Sequence, residues 1–101
     1  MNDYCARVHA KALPSNREYH LLGEAWILLY ARSRTEQEAS KLMLQYLADE
    51  GWEVLQIAET GVVDIARSKE HEALEKGLSA HGVFARVGGP PPADDRYFSK
   101  N

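Results

Sequence analysis

The sequence predicts an α+β domain of ferredoxin-like βαββαβ topology, with an antiparallel sheet, two helices on one face, and an extra strand in front. Three observations carry this expectation. Segments of alternating or continuous apolar character separate two segments of helical period. Each helical segment ends on a glycine, Gly51 or Gly82, and leads into another strand-like segment. The stretch YARSRTEQEA (Tyr30 to Ala39) is echoed by IARSKEHEAL (Ile65 to Leu74), so a strand–helix–strand order occurs twice in series. Right-handed crossovers in both units would put the two helices over the same side of the sheet.

The elements follow in order. YCARVHAKAL alternates, with Tyr4, Ala6, Val8, Ala10 and Ala12 on one side, and reads as a half-buried strand in front of the plait. The polar stretch from Pro14 to Gly23 is a connection, or a lid if functional. EAWILLYAR is almost continuously apolar and too short for a free-standing helix, so it reads as a central strand. In SRTEQEASKLMLQYLADEG, Ala39, Leu42, Met43, Tyr46 and Leu47 recur at helical spacing. Thr35 with Glu38, or Ser33 with Glu36, supplies a capping box.

WEVLQIAE alternates again. Thr60 and Gly61 then read as a tight turn joining it to a further strand, VVDIAR, as a hairpin. KEHEALEKGLSAHG is a second, weaker helix, in which Gly77 costs about 1 kcal/mol against alanine unless a close neighbour needs the room. VFARV closes the ordered domain, residues 1–88. The Gly/Pro-rich residues 89–101 are expected to be a flexible C-terminal tail.

Composition narrows the function classes. A chain of 101 residues that is 45% apolar and 27% charged suits one core, and a net charge of −3 disfavours nucleic acid and anionic membrane as partners. The single cysteine, Cys5, permits neither an internal disulfide nor a thiolate metal cage. MNDYCARVHA lacks the basic start and apolar run of a secretory signal, so the expected location is the cytoplasm. His9, His20, His71 and His81 lack chelating spacing, and neither a metal nor any other cofactor is expected. His20 with Glu24 could serve as an acid/base pair in a pocket, and Cys5 could act as a nucleophile only with a base across the sheet.

Two surfaces are candidate sites. In the plait both helix starts open on one rim, which would gather Arg32, Ser33, Arg34, Arg67, Ser68 and Lys69 around free backbone amides as a small-anion site. Glu36, Glu38, Glu70 and Glu72 oppose such a site. The second surface is the uncovered sheet face, assigned to Trp26, Leu28, Tyr30, Trp52, Val54 and Phe84, as a homodimer interface or pocket. Alternation alone leaves Ile27, Leu29 and Ala31 as the other choice for the central strand.

Asp49 and Glu50 also stand out. They occupy the last turn of the first helix, where each opposes the macrodipole by about a few tenths of a kcal/mol, and such local violations sometimes mark function.

The leading reading is a cytoplasmic binding or regulatory module without catalytic residues, dimerising through its sheet and taking a protein partner or a small anionic ligand. The alternative is a small dimeric α+β barrel-type enzyme with an aromatic-lined pocket for an apolar molecule and His20 or His9 at its mouth. A third reading is an accessory or immunity-type partner protein.

Overall fold

The computed structural model describes residues 1–88. It shows an α+β fold, a four-stranded antiparallel sheet with two helices. In chain order these are β1 (Asn2–Ala12), β2 (Glu24–Ser33), α1 (Glu36–Glu50), β3 (Trp52–Val63), α2 (His71–His81) and β4 (Val83–Val87), with one 3-10 turn at Ile65–Arg67. The strand order is β3-β1-β2-β4, which departs from the plait. The flexible tail expected over residues 89–101 lies outside the described residues.

The leading strand is the reason for the departure. Instead of adding at an edge, β1 sits inside the sheet and pairs with β2 on one side and β3 on the other. The hairpin expected at Glu59 to Gly61 does not form. β3 runs straight through it, with Glu59, Thr60 and Gly61 opposite Arg7, Ala6 and Cys5 of β1. A Thr-Gly pair favours a turn only when no partner strand offers a ladder, and here β1 offers one.

The two helices lie on opposite faces, which corrects the expectation of one helical face. α1 buries Ala39, Met43 and Leu47 against Ala6, Val8, Ile27 and Leu29. Small residues at Ala6, Ala10, Ala25 and Ala31 let the helix approach the sheet closely. α2 buries Leu74 and Leu78 against Ile65, with Tyr30, Val63 and Phe84 packed around them. Tyr30 lies between Leu29 and Ala31 in β2, and Phe84 between Val83 and Ala85 in β4, so strand alternation puts this second cluster on the other side.

The echo is therefore not a structural repeat at its start. In the first copy Ala31 and Arg32 end a strand and Thr35 caps α1, its hydroxyl accepting from the Glu38 amide at 3.2 Å. In the second copy Ile65–Arg67 form the 3-10 turn, and α2 begins without a side-chain cap. The spacing inside α2 is nonetheless explained: a Cβ on Gly77 would lie 2.6 Å from the Phe84 ring, so the glycine makes room for the aromatic.

Two β-bulges in β3 upset the parity read from its sequence. The register passes from Val54 opposite Ala10 to Gln56 opposite His9, and from Ile57 opposite Val8 to Glu59 opposite Arg7. Leu55 and Ala58 are the extra residues, so Val54 and Gln56 fall on opposite faces although they are two apart. Among the described residues no helix is long and apolar enough to cross a membrane.

Candidate functional site

A cleft of about 360 Å³ opens on the α1 side of the sheet. The segment Ser15 to Tyr19 forms one wall and the C-terminal end of α1 the other. Ile27, Trp52, Ala85 and Val87 lie beneath. Its construction starts at Gly51, the left-handed residue that ends α1 at φ 87°. The Leu13 amide donates to the Gly51 carbonyl at 2.9 Å, and a Cβ on Gly51 would stand 2.8 Å from the Asn16 backbone nitrogen. Gly51 therefore both stops the helix and lets the β1–β2 connection dock on the stop.

Asn16 organises that connection. Its side-chain oxygen accepts from the Tyr19 amide at 2.8 Å, and its backbone oxygen accepts from the His20 amide at 3.0 Å. These bonds bring the Tyr19 ring to 5.6 Å from the Trp52 ring, centroid to centroid. With the oxygen of the amide fixed, its nitrogen is fixed too. Asn16 is only 3% exposed, and that NH2 group has no partner among the described residues.

The rim is acidic. Among the described residues Glu18, Asp49 and Glu50 line the cleft together with one cation, Arg17. Among the described residues none of the three carboxylates forms an ion pair; Asp49 accepts a hydrogen bond from the Gln45 amide at 2.8 Å. Burial, followed by the charge of Glu50, pushes the Tyr46 phenol above its ordinary value. The Tyr19 phenol is raised by desolvation and then by hydrogen bonding to Glu18.

The anion-site residues are placed differently from one another. Arg32 is committed: its guanidinium forks onto Asp3, with Nε at 2.8 Å and Nη2 at 3.2 Å, and onto Glu75, with Nη1 at 2.6 Å and Nη2 at 3.0 Å. Ser33 is buried and donates its hydroxyl to the Thr35 carbonyl at 2.6 Å. Arg34 and Lys69 are exposed, and Arg67 is 89% exposed beside Asp64. The Ser68 hydroxyl accepts from the Glu70 amide. β2 and β3 end at the same end of the sheet, but β1 separates them, with Asp3 between Arg32 and Val63.

The sheet-face set also divides. Trp26, Leu28, Tyr30 and Phe84 share the side that α2 partly covers. Trp52 and Val54 lie on the α1 side, opposite Ala12 and Ala10, and pack into the main core. Their assignment to the uncovered face is corrected by that register. On the face beyond α2, buried Arg7 lies over the Trp26 ring at 4.2 Å and approaches Glu59 at 3.9 Å. His9 Nε2 stands 2.7 Å from Glu24 Oε1, so His9 and not His20 is the imidazole beside Glu24. Among the described residues no group of three or more His, Cys, Asp or Glu side chains could hold a metal ion.

Sequence reasoning flagged Asp49 and Glu50 as a helix-end anomaly but missed their partners in the cleft, Asn16, Tyr19 and Trp52. The only signal for these was a buried-type aromatic beside a helix-stop glycine. Comparison with protein-family models, with curated proteins and with solved structures finds no match to this chain.

Proposed function

We propose that this chain is a small cytoplasmic binding module, without catalytic residues of its own, that takes a small ligand into the cleft between the Ser15 to Tyr19 segment and the end of α1. The observation that carries the reading is the cleft itself. At about 360 Å³ it falls in the size range of small-molecule sites, and it combines an aromatic lining with a few convergent polar groups. Asn16 supports it further, because a buried amide nitrogen without a partner is costly until a ligand or water satisfies it. Among the described residues no histidine lines the cleft, and Cys5 lies on the opposite face with its thiol pushed up to about 12 by burial, so an acyl-transfer or acid/base centre has little to draw on there.

The test is a fragment screen followed by amide chemical-shift mapping. Binding should move residues 15–19, 46–52 and 85–87, and Ala85→Leu, which fills the floor, should abolish it. Hits that map elsewhere, or that survive the filled floor, would overturn the reading.

A second reading, twofold self-association, now rests on β3 and not on Trp52 and Val54. β3 is a 12-residue edge strand carrying Leu55 and Ile57, each 45% exposed, and Val62, 68% exposed. Solution mass of the wild type against Ile57→Lys tests it: a monomeric wild type removes the reading.

A further inference from the structure

Resting on the binding site proposed above, we infer that the cleft selects an organic cation that also carries a hydrogen-bond acceptor: an ammonium or guanidinium met by Glu18, Asp49 and Glu50, with a carbonyl or carboxylate met by the Asn16 amide. An arginine-like or lysine-like group with its adjoining carbonyl has this chemistry.

Four features converge on that class. The first is charge: among the described residues three carboxylates line the cleft against the one guanidinium of Arg17, and none of the three is in an ion pair there. The second is the helix end. α1 points its C-terminus, the negative pole of its backbone dipole, at the cleft, and its last turn holds no basic residue while Asp49 and Glu50 add negative charge there. Such an arrangement is unfavourable in the free protein and becomes favourable when a cation arrives.

The third is the ring system. Tyr19, Tyr46 and Trp52 all line the cleft, and aromatic faces attract cations in proportion to how far water is excluded. The fourth is Asn16, which is the observation that separates a built site from a patch of acids. Its oxygen is occupied by the Tyr19 amide, so the group left over is a donor, 3% exposed and without a partner among the described residues. A donor cannot greet a cation, so a ligand that satisfies this group directly brings an acceptor as well. A bare metal ion fits poorly on both counts, because the carboxylates do not converge as a ligand group and the amide would stay unsatisfied.

The experiment titrates the full chain at low salt with three probes, followed by amide chemical shifts and calorimetry. N-acetyl-arginine methylamide has both groups. N-acetyl-citrulline methylamide keeps the carbonyls but replaces the guanidinium with a neutral urea. n-Butylguanidine keeps the guanidinium and the single positive charge but has no carbonyl, so binding equal to that of the arginine compound would overturn the acceptor requirement. Saturable binding of the arginine compound at residues 15–19 and 46–52 is expected, with each of the others weaker by about tenfold or more, the size of one charge-assisted contact. The double variant Glu18→Gln/Glu50→Gln, at two exposed positions, should weaken the arginine compound to the same degree.

Equal binding of the citrulline compound, no effect of the double variant, or no saturation by the arginine compound in the millimolar range would overturn the cation inference. If screened compounds of other charge still bind and are still excluded by Ala85→Leu, or by Val87→Phe should the first variant fold poorly, the site survives and only the ligand class falls. If binding of every compound is indifferent to both fillings, the site itself falls.

Discussion

The Cα of Gly51 faces the backbone of Asn16 so closely that a Cβ there would stand 2.8 Å from the Asn16 nitrogen and 3.0 Å from its Cα. One glycine thus ends α1, seats the β1–β2 connection and opens the cleft between them. Gly51→Ala meets both obstacles at once, the left-handed φ of 87° and the backbone clash. The first alone costs about 1–2 kcal/mol. Urea unfolding should show a loss at least that large, and the amide shifts of residues 13–20 should move more than those of α2.

Gly77→Ala tests a contest between local and tertiary preference. Helix propensity favours alanine by about 1 kcal/mol, while the new methyl would lie 2.6 Å from the Phe84 ring. The clash should win in the wild-type background and lower the midpoint of thermal unfolding. In a Phe84→Leu background the same change should become neutral or stabilising. A stabilised single variant would show that Phe84 moves aside without cost.

Acid stability should carry the signature of Glu75. Hydrogen bonding from Arg32, then from Ser79, holds its carboxyl down to about 2 from an ordinary value of 4.5. The folded chain therefore binds fewer protons than the unfolded chain in that window, so the contribution is complete above about 4.5 and is lost as pH falls through about 2. Because the side chain is 54% exposed, salt will shrink the effect. Denaturant midpoints measured down this range should fall more steeply for the wild type than for Glu75→Gln, and parallel profiles would contradict the assignment.

Cys5 should be chemically silent in the folded protein. Burial, then the charge of Glu59, pushes its thiol up to about 12, and its β1 position faces Tyr30 on one side and Gly61 on the other. Alkylation near neutral pH should require opening of the sheet and should accelerate in denaturant in step with unfolding. Rapid labelling without denaturant would mean that β3 detaches from β1 readily.

Substituting Leu47 separates core from rim. It is fully buried between α1 and the sheet, so Leu47→Ala should cost about 2–5 kcal/mol in chemical unfolding. Leu44, 42% exposed on the same helix, should lose well under half as much when truncated to alanine. Comparable losses would place the α1 stripe differently.

Much of the secondary structure was legible without coordinates because its causes are local. Thr35 and Glu38 sit three residues apart and fix the start of α1, and Gly51 and Gly82 adopt the positive φ that ends each helix. The continuous apolar run from Ala25 to Ala31 required an interior strand, and β2 is one. The suspicion that Gly77 leaves room for a neighbour and the oddity of two acids closing α1 were equally readable from a few adjacent residues. Strand order, helix side and the cleft were not. Whether Thr60 and Gly61 turn or extend depends on Cys5 and Ala6, more than fifty positions away. Which way Val54 and Gln56 point depends on a bulge that exists only against β1, and Asn16 meets Gly51 only after the sheet has formed. Sequence sets what each segment prefers alone, while pairing between distant strands decides which preferences are kept, because a ladder of backbone hydrogen bonds and a shared core outweigh any single turn propensity.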